Sequence, residues 1–453
     1  MNLPNYFLAD LPADTALTPT MLGEACQTLK RNRAHFLALR STTDIIRTLD
    51  HVAKQWLQLE YPIRKLAVDR GSSELQFSRS RLTRGLDDFF KQLNGENLEE
   101  LVTAELGHPH RLDDLVATPQ DQHVQRAAMA RGPELLLHIT AGPIPNPSLS
   151  SIVLGLLVRS AQFVKCASGT ALLPRLFAHS IYEAEPKLGA CLEIAVWRGG
   201  NAELERTIFS ACDCVTATGS DETLSLVRQR LPSHVRFLGY GHRVSFGYIT
   251  REALSGFSVQ RHIKNAATDV TAWNQLGCLS PHLLYVENSG RTSPEQFAEM
   301  LALELREREE AEPRGPIPAD AAAAIASRRS FYEVRAANSP ETRLWQSEGS
   351  TAWTVVYEAD PAFQLSCLNC FIYVKGVSTL TEALHALEMV RGKVSTVGIA
   401  AADFEAPRLA LELTRWGAPR ICPLGQMQSP PLSWRHDGRP ALGDLVTWTD
   451  WEK

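Results

Sequence analysis

From residue 134 to about 240 the chain alternates short β-rich runs with helical stretches, and few architectures accommodate that rhythm. The runs fall at Leu135–Ile139, Gln162–Lys165, Leu192–Trp197, Cys214–Ala217 and Val235–Leu238, with helical patterns beginning near Leu149, Ala171, Asn201 and Asp221. This β-α-β-α repetition predicts a parallel sheet covered by helices on both faces. Such sheets bind ligands at the carboxyl ends of their strands, so a nucleotide-binding domain is the expectation for this stretch.

The flanks have other textures. Residues 1 to about 130 are polar and helix-rich, and Ser41-Thr42-Thr43-Asp44 reads as a cap for a helix carrying Ile45, Ile46, Leu49, Val52 and Trp56 on one face. Nothing in this region reads as catalytic. A second α/β segment follows from about 243 to 402, with strand-like runs at Leu283–Val286, Thr354–Tyr357 and Phe371–Val374. Within it, residues 305–329 read as two helices around a loop at Pro313–Pro318. The tail is rich in Pro, Gly and Trp, and residues 435–440 read as a turn. A chain of 453 residues implies two or three lobes.

Composition excludes several function classes. The formal charge is −5 and no long basic block occurs, so nucleic acid is not an expected partner. No stretch reaches the roughly 18 apolar residues needed to span a bilayer, and Met1–Leu22 lacks a secretory pattern. Nine scattered cysteines form no disulfide framework, and Cys367/Cys370 and Cys212/Cys214 lack a second zinc-ligand pair. The expectation is a metal-free enzyme of the reducing cytoplasm.

Four segments carry candidate chemistry, each with an ordinary structural explanation beside it. In Trp273–His282 a helical pattern (Ile263–Trp273) runs into Gly277-Cys278 and then a strand. A cysteine on such a loop suits a thiolate nucleophile, and thioester exchange onto a thiol is nearly isoenergetic. A buried cysteine in a turn would read the same. Cys214–Asp221 turns from strand to helix through Thr218-Gly219-Ser220, where unpaired N–H groups could face a pyrophosphate or nicotinamide; an N-cap explains it equally. Phe163–Ser168 ends a strand at Lys165 with a small hydroxyl residue, Ser168, three positions on. These could bracket the ribose on the adenine side, or Lys165 could simply snorkel. Phe237–Ser245 places Gly239, Gly241, His242 and Arg243 after a strand, which reads as a hinge into the second lobe. His242 is there a candidate general acid or a hydrogen-bonded structural histidine.

In order, the strings FVKCAS (163–168), VTATGS (215–220), GYGHRVS (239–245) and DVTAWNQLGCLSPH (269–282) resemble the aldehyde dehydrogenase superfamily. More specifically they resemble the acyl-CoA reductase family, typified by the fatty-acid reductase subunit of bacterial bioluminescence systems. Residues 420–425 and HDGRPALGDLVTWTDW (436–451) add to the likeness, which covers about 130 to 452. The resemblance implies an aldehyde-dehydrogenase-like α/β fold. Its parts would be a helical N-terminal region (1–130), a Rossmann-like NADP-binding domain (131–242, joined by 403–453) and a catalytic domain (243–402).

It further implies acyl transfer from CoA, an acyl carrier or an acyl-protein to Cys278, followed by hydride delivery from NADPH and release of an aldehyde. His242, Asn146 and Asn274 would assist Cys278. Lys165, Ser168, Thr218, Gly219, Ser220, Gly241 and Asn369 would hold the cofactor. Ser168 falls where NAD-preferring dehydrogenases often carry Glu, and removing that carboxylate favours a 2′-phosphate. A homo-oligomer and an acyl-protein synthetase partner are also implied.

The chain departs from the superfamily at three places. Leu238 or Gly239 stands where oxidising dehydrogenases place the Glu that activates deacylating water, which suits a reductase. Gly142-Pro143 stands near the expected oxyanion Asn, with Asn146 three residues on as substitute; losing such a donor costs roughly 3 kcal/mol. No acid occurs at 365–371 to hold the nicotinamide ribose, and Asn369 is the nearest polar candidate. A Cys278-dependent acyltransferase or thioesterase, or a catalytically impaired scaffold, are the alternative readings.

Overall fold

The computed structural model describes residues 3–12, 14–142, 144–256 and 258–452. Its strands are β1 (Arg126–Arg131), β2 (Leu135–Ile139), β3 (Ala161–Cys166), β4 (Leu192–Val196), β5 (Cys214–Thr218), β6 (Arg236–Tyr240) and β7 (Val244–Ile249). They continue as β8 (Pro281–Glu287), β9 (Thr342–Gln346), β10 (Thr354–Glu358), β11 (Phe371–Val377), β12 (Val394–Ala400), β13 (Ile421–Pro423) and β14 (Thr447–Glu452).

Strands β2 to β6 form a five-stranded, wholly parallel sheet in the order β4-β3-β2-β5-β6. Every residue of β3 is buried, as a strand covered on both faces requires. The order reverses at β2, so the cleft outside the carboxyl ends of β2 and β5 is the natural ligand crevice. A seven-stranded sheet follows in the order β13-β12-β7-β8-β11-β10-β9, parallel except for β9. It has an apolar core on each face.

The N-terminal helices complete the first sheet. Leu22, Cys26 and Leu29 of helix Pro19–Asn32 share a core with Leu135, Leu137, Phe163 and Val215 on one face. Residues of the next helices share the opposite core with Leu136, Val164 and Ile194. Helix Thr42–Trp56 starts as its sequence requires, with the Ser41 side chain accepting from the Asp44 N–H at 3.2 Å. Its buried stripe ends in Trp56, which stacks on Phe90 at 4.6 Å and donates to Ser180 at 2.9 Å.

One sequence expectation needs correction. Segment 403–453 does not join the first lobe as a whole: helix Ala406–Trp416 packs on the second lobe and β13 pairs with β12. Leu442, Leu445 and Val446 then pack into the first lobe, and β14 pairs antiparallel with β1. The stretch after Tyr240, read as a hinge, crosses from β6 of the first sheet to β7 of the second in three residues. Among the described residues no helix is long and apolar enough to cross a membrane, and no cluster of three potential ligands could hold a metal ion. All nine cysteines are free thiols.

Candidate active site

Helix Ser258–Thr271 ends in a tight turn whose residues Trp273, Asn274 and Gln275 all have left-handed backbones, with φ of 49°, 54° and 61°. Three consecutive non-glycine residues in that region are strained, and they persist because their side chains are gripped. The Asn274 Oδ1 accepts from Arg81 at 2.6 Å, and the Trp273 ring lies edge-on to Phe77. Gln275 Nε2 donates to the carbonyls of Pro281 and Phe371 at 2.8 and 2.9 Å. This anchored turn delivers Leu276, Gly277 and Cys278 to the start of β8.

The loop is closely packed. A Cβ on Gly277 would lie 3.0 Å from Gln428 Oε1 and 3.2 Å from Ile144 Cδ1, so glycine lets the loop after β2 and the C-terminal segment approach Cys278. The Ser245 hydroxyl donates to the Cys278 carbonyl at 2.7 Å and accepts from the Thr396 N–H at 3.1 Å. Cys278 is half-buried overall, but its thiol is enclosed, and burial pushes its pKa up to about 11. The Asp437 carboxylate adds to that push, whereas a hydrogen bond with Ser395 and the Arg243 charge oppose it. Asp437 accepts from Ser395 Oγ at 3.2 Å and pairs with Arg243 Nε at 3.2 Å.

His242 is exposed on the linker between β6 and β7, and its N–H donates to Asp221 Oδ1 at 3.3 Å. It lies close enough to His282 to help burial push that histidine down to about 4. His282 is in turn four residues past Cys278. A Cβ on Gly241 would meet Asp221 Oδ1 at 2.4 Å, so a side chain there would displace that carboxylate. Asn146 begins helix Asn146–Leu157, and its Oδ1 is buried without a hydrogen-bond partner. Pro143 lies outside the described residues.

At the carboxyl edge of the first sheet, Lys165 is buried and its ammonium lies over the Trp197 ring at 5.7 Å. Burial pushes the Lys165 pKa down. Trp197 Nε1 is buried without a partner, and Ser168 is exposed nearby on the loop after β3. Gly219 donates to the Tyr240 carbonyl at 3.2 Å, and Ser220 caps helix Asp221–Arg230 by accepting from the Thr223 N–H at 3.2 Å. Gly142, Gly169 and Gly200 have positive φ and open space where a Cβ would stand. Unpartnered donors around open space at a parallel-sheet edge fit a dinucleotide.

One candidate has another use. Asn274 is buried, bonded to Arg81 and, through Nδ2, to the Gln76 carbonyl at 3.4 Å, so it shapes the loop rather than facing substrate. Asn369 is buried in a second left-handed run, Leu368–Cys370, with its carbonyl accepting from Arg314 at 2.7 Å. That bond engages its backbone and fixes the turn that carries it. Sequence reasoning also missed Arg243, Ser395 and Asp437; the aspartate stood in a string read only as a turn.

Comparison with known proteins gives the context. The family model "Acyl-CoA reductase (LuxC)" matches residues 37–448. The long-chain acyl-protein thioester reductase 2 of Photobacterium leiognathi is 22% identical over 79% of this chain and 71% of its own length. Among solved structures, an NAD-dependent benzaldehyde dehydrogenase from Corynebacterium glutamicum superposes with a TM-score of 0.71 at 13% identity, covering 97% of this chain and 91% of its own. Bifunctional proline utilization A gives 0.73 at 17% identity, covering 96% of this chain, which spans only 45% of that protein. The fold is therefore aldehyde-dehydrogenase-like, as expected.

Proposed function

Since the chain belongs to the LuxC acyl-CoA reductase family, we propose that it reduces a long-chain acyl thioester to the aldehyde with NADPH, through an acyl-Cys278 intermediate. The observation that carries this reading is the enclosed Cys278 thiol on a gripped loop where the loop after β2 meets the second lobe. An acyl-protein is the favoured donor, because the Photobacterium relative is named for that substrate. Acyl-CoA carries the same thioester chemistry.

Lys165, Ser168, Thr218, Gly219 and Ser220 would hold the cofactor along the carboxyl edge of the first sheet. Glu205, the carboxylate that Lys165 senses, already accepts from Gly200 N at 2.7 Å and pairs with Arg230. Glu205 is thereby committed elsewhere rather than free for a ribose 2′-hydroxyl, and Lys165 favours a 2′-phosphate. When bound, the cofactor supplies the hydride.

The chain's own residues do the rest. Cys278 attacks the thioester carbonyl and becomes acylated. The Asn146 Nδ2 and the Cys278 N–H would donate to the oxyanion. His242, exposed on the linker between β6 and β7, brings protons from solvent to the site. Leu238 and Gly239 supply no carboxylate to activate water, so the acyl-enzyme survives until it is reduced.

The test is intact-protein mass after incubation with myristoyl-CoA or a myristoyl-loaded carrier protein, followed by NADPH. One acyl group should add to the wild type and not to Cys278→Ala, and NADPH should discharge it as aldehyde. An adduct discharged by water or thiol but not by NADPH would mark acyl transfer or hydrolysis instead. Aldehyde formation by Cys278→Ala would remove the nucleophile assignment.

A further inference from the structure

Thioester exchange onto Cys278 needs a group to take the thiol proton, and the structure holds a carboxylate one hydroxyl away. Ser395 is fully buried on β12, and the β7–β12 register slips between Val394 and Thr396. Such a bulge re-aims the side chain of the extra residue, here Ser395. Its hydroxyl donates to Asp437 Oδ1 at 3.2 Å and stands beside the Cys278 thiol, because Ser245 Oγ ties the Cys278 carbonyl to the N–H of the neighbouring Thr396. Asp437 comes from a one-turn 3-10 segment, His436–Gly438, and is held at φ 53° although it is not a glycine. The turn is pinned by His436 stacking on Tyr240 at 4.7 Å and by Arg439 bound to Asp444 at 2.8 Å. Strain of this kind persists where the surroundings over-determine it, and it clusters at working sites.

The charged and titratable groups around the Asp437 carboxylate are few. Arg243 pairs with it from the linker, His436 approaches to 3.9 Å from its own turn, and the Cys278 thiol lies across Ser395. Arg439 is farther off, over Tyr240. Among the described residues no hydrogen bond joins the His242 ring to the thiol, and His282 accepts from the Ser366 N–H instead.

We propose that Ser395 and, acting through it, Asp437 form a proton relay that takes the Cys278 proton during acylation and returns it during release. This rests on Cys278 being the nucleophile. As Cys278 Sγ bonds the carbonyl carbon, its proton passes to Ser395 Oγ while the Ser395 proton passes to Asp437 Oδ1. When the carbon–sulfur bond to the donor breaks, that proton returns along the relay to the departing thiolate, so acyl transfer consumes none. After the acyl carbon has gained a hydride, collapse of the hemithioacetal alkoxide breaks the bond to Cys278 and frees the aldehyde. The Cys278 thiolate then takes one proton through the same relay, which solvent restores. Arg243 keeps the resting carboxylate oriented and its charge balanced.

The discriminating variant is Asp437→Asn, which keeps the shape and a hydrogen bond to Ser395 but accepts no proton. Two rates are measured between pH 6 and 10: acyl-enzyme formation from myristoyl-CoA, and iodoacetamide alkylation of Cys278. Acylation should slow about 100-fold or more. Alkylation should instead move to lower pH, because a negative charge beside the thiol has been removed. Ser395→Ala should slow acylation similarly, and Ser395→Thr should recover part of the rate. Acylation and alkylation rising together would show that Asp437 only raises the thiol pKa, and both falling together would show a structural role. Either outcome, or an unchanged acylation rate, overturns the relay. Aldehyde from Cys278→Ala, or no wild-type adduct with either myristoyl-CoA or a myristoyl-loaded carrier protein, would instead refute the nucleophile on which it rests.

Discussion

Replacing Arg81 with methionine tests whether the N-terminal helices hold the nucleophile loop in its working shape. Arg81 lies on helix Arg79–Gln92, is 7% exposed, and reaches Asn274 Oδ1 at 2.6 Å, Cys370 Sγ at 3.7 Å and Glu309 at 3.6 Å. The left-handed turn it supports stores roughly 1–2 kcal/mol per residue over Trp273, Asn274 and Gln275. Methionine keeps the buried stem but orphans the Asn274 carbonyl, at a cost of about 1.5–3 kcal/mol for a charge-assisted bond. Glu309 is partly exposed and also accepts from the Arg314 N–H, so its release adds little. The lost bond is comparable to the strain of one or two of the three residues, enough to let the turn relax and shift Cys278.

The expected result is a stability loss of about 2–3 kcal/mol in urea titrations. Acylation should fall at least about 10-fold, as misplacement of a reacting group does, while NADPH affinity stays at the wild-type value. Arg81→Lys, which can still donate to Asn274, should recover part of both losses. An unchanged acylation rate alongside the stability loss would refute the claim that this contact positions the nucleophile.

Two further predictions concern the cofactor edge and the N-terminal strap. Ser168→Glu should weaken NADPH binding more than NADH binding, measured by fluorescence titration; equal effects would remove Ser168 from the 2′-phosphate site. Glu193 is half-buried with its pKa pushed up to about 8, chiefly by desolvation and against hydrogen bonds from the Leu8 and Ile194 N–H groups. Because the folded pKa exceeds the unfolded one, its stabilising protonation is complete below about pH 4.5 and is lost as pH rises through 8. Wild type should therefore lose stability between pH 5 and 8.5, by at most about 5 kcal/mol from this group. Glu193→Gln should flatten that slope in denaturation midpoints, and an unchanged slope would contradict the assignment.

Much of the first lobe was legible from local pattern. β2 matches its sequence run at both ends, and β3 to β6 do so within two residues, because apolar runs between helical segments have few other uses. The Ser41 cap and its buried stripe were equally plain. The strands that escaped had local reasons. β7 follows Gly241-His242-Arg243, which reads as a linker, and β12 carries Gly398, where a Cβ would meet Met427 Sδ at 2.6 Å. β1, with the sequence Arg126–Arg131, has little strand character and exists because β14 pairs with it from the other end of the chain.

The candidate site divides along the same line. Cys278, Lys165, Ser168 and the Thr218–Ser220 turn are each marked by their own neighbours in sequence: a Gly-Cys loop before a strand, a strand-end lysine, a small-residue turn before a helix. Those signals depend on short-range geometry, and a sequence states short-range geometry directly. What surrounds the thiol does not work that way. Ser395 reaches it through a β-bulge visible only once β7 and β12 are paired, and Asp437 lies 42 residues further on, in a tail that crosses from the second lobe to the first. Asn274, a polar residue beside the right motif, turned out to be a brace, because Arg81 arrives from a distant helix to claim it. The sequence by itself determined the nucleotide-type sheet and the candidate nucleophile. Only the tertiary structure decided which charges face that nucleophile, since the free energy of a buried thiol depends on whatever groups packing brings within a few ångströms.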